Sequence, residues 1–240
     1  MKALAAQTRI EIALTLRRGE SLLLILGIPL LLLGFFSSVE VLPKGNFHDS
    51  VDFLTPGVLA LAVMSTGMVQ LAIGTSFERQ YGVLKRLGAT PLGRPRLLAA
   101  KTVSIIAVEV VQIALLIALA IALGWNPSVQ AGVVVAVMLG TVAFSGLGLL
   151  MAGTLRGEVT LAAANGLYLV LLLIGGMVVP LSELPSALRF VAELLPSGAL
   201  AQALIGTLST AHTVPTKAWI VLVAWAVLAP LAAARTFRWE

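Results

Sequence analysis

Six long apolar stretches, separated by short polar connections, dominate the pattern of this chain. They run approximately from Ser21 to Val39, Phe53 to Phe77, Thr102 to Gly124, Ala131 to Gly153, Leu161 to Pro180 and Thr216 to Ala234. A helix needs about 20 mostly apolar residues to cross roughly 30 Å of hydrocarbon, where no water pairs with a stray backbone amide. The pattern therefore predicts an all-α membrane protein with six transmembrane helices. Two weaker patterns flank them. In residues 1–20, Ala3, Ala6, Ile10, Ala13 and Leu14 make a helical stripe while Glu11, Thr15 and Arg18 lie on another face, as in an amphipathic helix at the membrane interface. Between the fifth and sixth stretches, Pro180, Pro185 and Pro196 divide residues 181–210 into pieces too short to span, expected as broken, partly re-entrant outer helices.

Composition agrees and adds a direction. The 240 residues are 59% hydrophobic and only 11% charged, with a mean hydropathy of +1.02, whereas about a quarter of a soluble domain is charged. No connection is long enough for a soluble domain, so residues 1–240 read as a single transmembrane domain. Of the 16 Lys and Arg, all but Lys44, Arg189 and Lys217 fall on the side that carries both termini. The positive-inside rule then expects both termini in the cytoplasm; the membrane expected is the inner (cytoplasmic) membrane of a bacterial or archaeal cell. Phe35, Phe36, Trp125 and Trp219 lie at the opposite ends of their stretches, where aromatic rings favour the headgroup layer.

Several chemistries lack their residues. The chain has no cysteine and two histidines, which removes disulfide frameworks, thiol nucleophiles and Cys/His metal sites; no metal site and no cofactor are expected. Ser145 superficially resembles an intramembrane nucleophile, but His48 and His212 fall in connections on the far side, leaving it without the usual base. Gly140, Ser145, Gly148, Ala152 and Gly153 read better as a close-packing face. A phosphate-cradling loop needs Gly-x4-Gly-Lys-Ser/Thr, and the Lys101-Thr102 pair has Pro95 where the first glycine belongs. Any ATP and magnesium must be held by a partner polypeptide.

Three polar residues sit inside predicted crossings: Gln70 in the second, Glu109 and Gln112 in the third. An acidic residue at the centre of a spanning helix costs about 2.5 to 3.5 kcal/mol on the insertion scale quoted for Asp, so Glu109 is a candidate for function as well as for joining helices. The ion-coupled reading is a secondary transporter in which Glu109 carries a proton or cation. The connection at residues 78–91 offers another candidate. A helix from Glu78 places Tyr81, Leu84 and Leu87 on one stripe, with Arg79, Lys85 and Arg86 off it. With no local core to join, that stripe suits docking in a partner's groove or lying on the lipid surface.

The residues of this connection resemble those of ABC-2 type permeases, the transmembrane subunits of ATP-binding cassette exporters. Glu78, Arg79, Gly82, Leu84, Arg86, Leu87, Thr90, Pro91 and Leu92 match the family pattern, Val83 departs where Thr is usual, and Lys85 stands where an acidic residue is frequent. The segment from Pro180 through Leu184, Pro185 and Leu188 to Pro196 is similar to the family's signature after its fifth helix. The small size looks most like the drug-exporter branch typified by the daunorubicin exporter. The resemblance implies a permease that works as a homodimer or heterodimer, with ATPase subunits docked on a coupling helix that includes Glu78, Arg79, Gly82, Leu84, Leu87, Thr90 and Pro91. It also implies a route at the dimer interface, and neither nucleic acid nor catalytic residues. A pathway so poor in charge suits an apolar or amphipathic substrate, in the manner of multidrug and antibiotic efflux.

Overall fold

In a computed structural model, residues 7–13, 19–39, 50–88, 94–209 and 213–238 are described. They contain helices and turns and no strand. Helix α1 covers residues 7–13, α2 Gly19–Ser38 and α3 Ser50–Met64. A π-helical turn, Ser65–Gln70, leads straight into α4, Leu71–Gln80. Then follow α5 (Val83–Gly88), α6 (Arg94–Ala122), α7 (Gly132–Thr154), α8 (Gly157–Ile174), α9 (Ser186–Leu194), α10 (Pro196–Leu208) and α11 (Thr216–Thr236).

Five of these stretches are long and apolar enough to cross a membrane: Val51–Gln80, Ala99–Ala122, Gly132–Thr154, Gly157–Ile174 and Thr216–Thr236. Helix α2 adds 20 helical residues around Pro29, a residue that spanning helices tolerate because neighbours re-satisfy the freed carbonyl. The chain is an all-α, multi-pass membrane protein. Its outer segment is broken as its prolines demand. Pro185 precedes α9, Pro196 opens α10, and the two helices meet at 86°. The Trp225 indole N–H donates to the Leu194 carbonyl at 3.0 Å and so satisfies an orphan at the end of α9.

Helix α7 is the axis of the bundle and packs against α3, α4, α10, α11 and the π turn. Small residues let it do so. A Cβ on Gly146 would lie 2.5 Å from the Pro230 nitrogen of α11, one on Gly148 2.7 Å from the Met68 carbonyl of the π turn, and one on Gly140 2.9 Å from Leu200 of α10. Around this axis Phe53, Met64, Phe144, Leu200 and Leu204 form the main apolar core. A second cluster, Leu71, Leu84, Leu97, Ile105, Leu149, Ala233 and Phe237, closes the basic end.

One sequence expectation is corrected. Trp125 is buried in the main core and does not face the headgroup layer, because the turn after Gly124 (φ +96°) folds it back onto the bundle. In α1 the polar side faces the protein: Gln7 is buried and Glu11 partly so, while Ile10 is 53% exposed. An ion pair, described below, draws Glu11 inward.

The α7 packing predicts opposite signs for two substitutions. Gly146→Ala overpacks a backbone contact, which costs about 1 to 3 kcal/mol, and should lower the unfolding temperature in detergent by roughly 2 to 4 °C per kcal/mol. Gly34→Ala meets nothing within 4 Å and should leave that temperature unchanged or raise it, since Ala favours the helix by about 1 kcal/mol. Equal melting of the two variants would contradict the packing.

Candidate functional site

The helix expected from Glu78 onward is not a separate element. Glu78 and Arg79 are the last turn of the span that begins at α3, and the chain breaks at Tyr81 and Gly82, where Gly82 takes φ +72°. That left-handed conformation favours glycine and turns α5 back against α6. The break splits the expected stripe. Tyr81 is 71% exposed and stacks on Phe77, with ring centroids 6.2 Å apart. Leu84 is 0% exposed in the cluster at the basic end, and Leu87 packs against that cluster. Leu84 therefore joins an internal core, contrary to the expectation that its stripe has none. The outward side chains of the elbow are Tyr81, Val83, Lys85 and Arg86. Thr90 and Pro91 lie outside the described residues.

Polar contacts and one close-packed glycine anchor this elbow to the bundle. The Lys101 ammonium, 3% exposed at the start of α6, lies 2.5 Å from Glu78 and 3.2 Å from Glu11 of α1. Gln7 donates its side-chain amide to Glu11 at 2.9 Å. The Arg79 guanidinium donates to the Leu155 carbonyl in the turn between α7 and α8. Gly157, at the start of α8, lies against Phe77 and Gln80. A displacement of the elbow is thus felt by α1, α6, α7 and α8 together. Glu78 and Arg79 were expected to face a partner; the structure commits both side chains to these internal contacts.

Higher in the bundle the three intramembrane polar residues part company. Gln112 is a cross-link: its amide nitrogen donates to the Ile25 carbonyl of α2 at 2.8 Å, and its oxygen accepts from the Thr66 hydroxyl of the π turn at 2.9 Å. Glu109, 1% exposed, meets Thr141 of α7. Gln70 lines a cavity of about 580 Å³ between α2, the span of the π turn and α4, and α8. Ser65, Tyr81, Asn165 and Tyr168 are its other uncharged polar residues, and it extends to Glu78, Tyr81 and Val83 at the elbow.

A family model described as ABC-2 type transporter matches residues 2–208, the greater part of the chain. The chain belongs to the ABC-2 type transporter family. No curated protein is significantly similar to it. An ABC-2 membrane domain is a transport subunit without an ATP-binding cassette, which agrees with the missing phosphate loop. In this ABC-2 chain the matched region runs from residue 2 through α10, so it includes the elbow and its anchors.

Sequence reading missed the Lys101 hub and the roles of Thr66, Thr141, Asn165 and Tyr168. Lys101 and Glu11 are 90 positions apart, a pairing that no local period encodes. The burial of Leu84 yields a prediction. Leu84→Asp removes about 1.5 to 3 kcal/mol of burial and forces a charge into the cluster, so it should lower the unfolding temperature by at least about 4 °C. Tyr81→Ala should leave it unchanged. Wild-type melting of Leu84→Asp would refute the internal placement.

Proposed function

We propose that this chain is the translocating subunit of an ATP-driven exporter, moved by separate ATPase subunits that dock on the elbow from Tyr81 to Leu87. One observation carries the reading. The elbow presents an exposed tip of Tyr81, Val83, Lys85 and Arg86 while its base is tied to α1, α6, α7 and α8, so force applied at the tip reaches the whole bundle. The tip is apolar and basic. It fits a groove with an apolar floor and an acidic rim on the partner, which would also hold ATP and magnesium.

The basic end lies in the cytoplasm by the positive-inside rule. The cavity beside the elbow opens at the face made by α2, α4 and α8. On that face Asn165, near the middle of α8, is exposed with its amide bonded back to Leu161 at 2.8 Å, and Gly74 and Gly166 have nothing within 4 Å of an added Cβ. A second permease copy covering this face would remove Asn165 from lipid and join two cavities into one route. The walls are apolar with a few amide and hydroxyl groups, and the one carboxylate in the lining, Glu78, is paired with Lys101; such walls suit an apolar or amphipathic substrate, such as a drug, an antibiotic or a lipid-like molecule. The ion-coupled alternative is less well supported, because the cavity lining does not include Glu109.

Docking is tested by co-purification. The tagged wild-type chain should retain an ATP-binding cassette ATPase identified by mass spectrometry. The double variant Tyr81→Asp and Val83→Asp should lose at least about tenfold of it, the equivalent of 1.4 kcal/mol, while inserting and melting as wild type. Full retention of the ATPase by that variant would overturn the assignment of the elbow.

A further inference from the structure

Glu109 is the buried ionisable group that the coupling route does not use, and its surroundings constrain its chemical form. Thr141 has one hydroxyl proton. Its Oγ1 lies 2.9 Å from the Val137 carbonyl, one turn back in α7, and 2.5 Å from Glu109 Oε2. A threonine in a helix commonly donates to the carbonyl four residues earlier, which leaves its oxygen as an acceptor toward α6. Were Glu109 a carboxylate, two acceptors, its Oε2 and the Val137 carbonyl, would compete for the one Thr141 proton in a site sealed from water. Its second oxygen, Oε1, is buried without a hydrogen-bond partner and faces Gly67 of the π turn, where an added Cβ would lie 3.5 Å away. A neutral carbonyl tolerates that isolation far better than a full negative charge.

Among the described residues no cation is shown against Glu109. Thr141 of α7 and Gly67 of the π turn lie against Glu109, with Phe144 and the Ser145 backbone beside Gly67, and none of these groups ionises in the accessible pH range. Among the described residues no ion pair involves Glu109; Lys101, eight residues earlier on the same helix, is held by Glu11 and Glu78.

We infer that Glu109 is a proton-binding site in this packing: a carboxylic acid whose Oε2–H donates to Thr141, which donates onward to the Val137 carbonyl. The bound proton joins α6 to α7 at the level of the π turn. Its release requires that seam to open, so the proton acts as a latch on this packing of α6 against α7, independent of how transport is powered.

The test is infrared spectroscopy of the purified chain in lipid at neutral pH, with no ATPase present. The wild type should show the carbonyl stretch of a protonated carboxylic acid, shifted by deuterium exchange and missing from Glu109→Gln. Thr141→Val removes the acceptor and should move the same band to higher frequency. Glu109→Gln retains a donor toward Thr141 and should melt within about 2 °C of wild type, whereas Glu109→Leu should melt lower. If no acid band depends on Glu109, the inference fails. Should Glu109→Gln not fold, the Thr141→Val spectrum decides, with a shifted band supporting the latch and an unmoved band refuting it.

Discussion

Helices in a bilayer gain nothing from hiding apolar surface from one another, because lipid tails are as apolar as leucine; they associate where their backbones come close. In this ABC-2 chain that closeness is concentrated on α7. Gly146 and Gly148 bring it against the backbone of α11 and the π turn at distances that leave no room for a Cβ, and Gly140 receives the Leu200 side chain of α10. The same contacts set Thr141 opposite Glu109 and hold the π turn where Thr66 reaches Gln112. The polar interior is thus a consequence of the small-residue axis. Leu149, between those glycines and the helix end, then reaches the cluster that buries Leu84 and fixes the elbow.

The basic end is organised by charge. Removing one partner from a buried ion pair costs about 3 to 5 kcal/mol, while the intact pair contributes little net stability. The Lys101 hub is therefore best understood as a device for geometry: it ties α1, α4 and α6 into one piece beneath the exposed tip. Arg79, bound to the turn before α8, extends that piece to the α7–α8 side. A permease driven from outside itself needs such a stiff receiving part, since a soft one would absorb the stroke.

Much of this was legible in the sequence, and the failures have physical reasons. The spans, the broken outer helices and the small-residue face of α7 are encoded by run length, proline and spacing, which are local properties. The docking stripe was misread because a period of 3.6 continues smoothly through Tyr81, Leu84 and Leu87 on paper, while Gly82 breaks the helix. The π turn was invisible because its inserted residue leaves an apolar run apolar. Trp125 was placed at a membrane boundary by its position at the end of an apolar stretch, yet a single turn at Gly124 buries it. Glu109 and Gln112 were recognisable as costly residues, but their partners come from other helices and only the fold brings them together.

The central claim is that ATP hydrolysis by a separate subunit moves the elbow relative to the far end of the bundle. Nitroxide labels at Arg86→Cys and Val129→Cys, both exposed positions at opposite ends of a chain with no native cysteine, report that distance by pulsed electron paramagnetic resonance. In the complex with its ATPase reconstituted in lipid, the distance distribution should shift when ATP is added and trapped with vanadate, and should not shift for the permease alone. A distribution that ignores ATP in the assembled complex, or that shifts only when a proton gradient is imposed, would contradict the account.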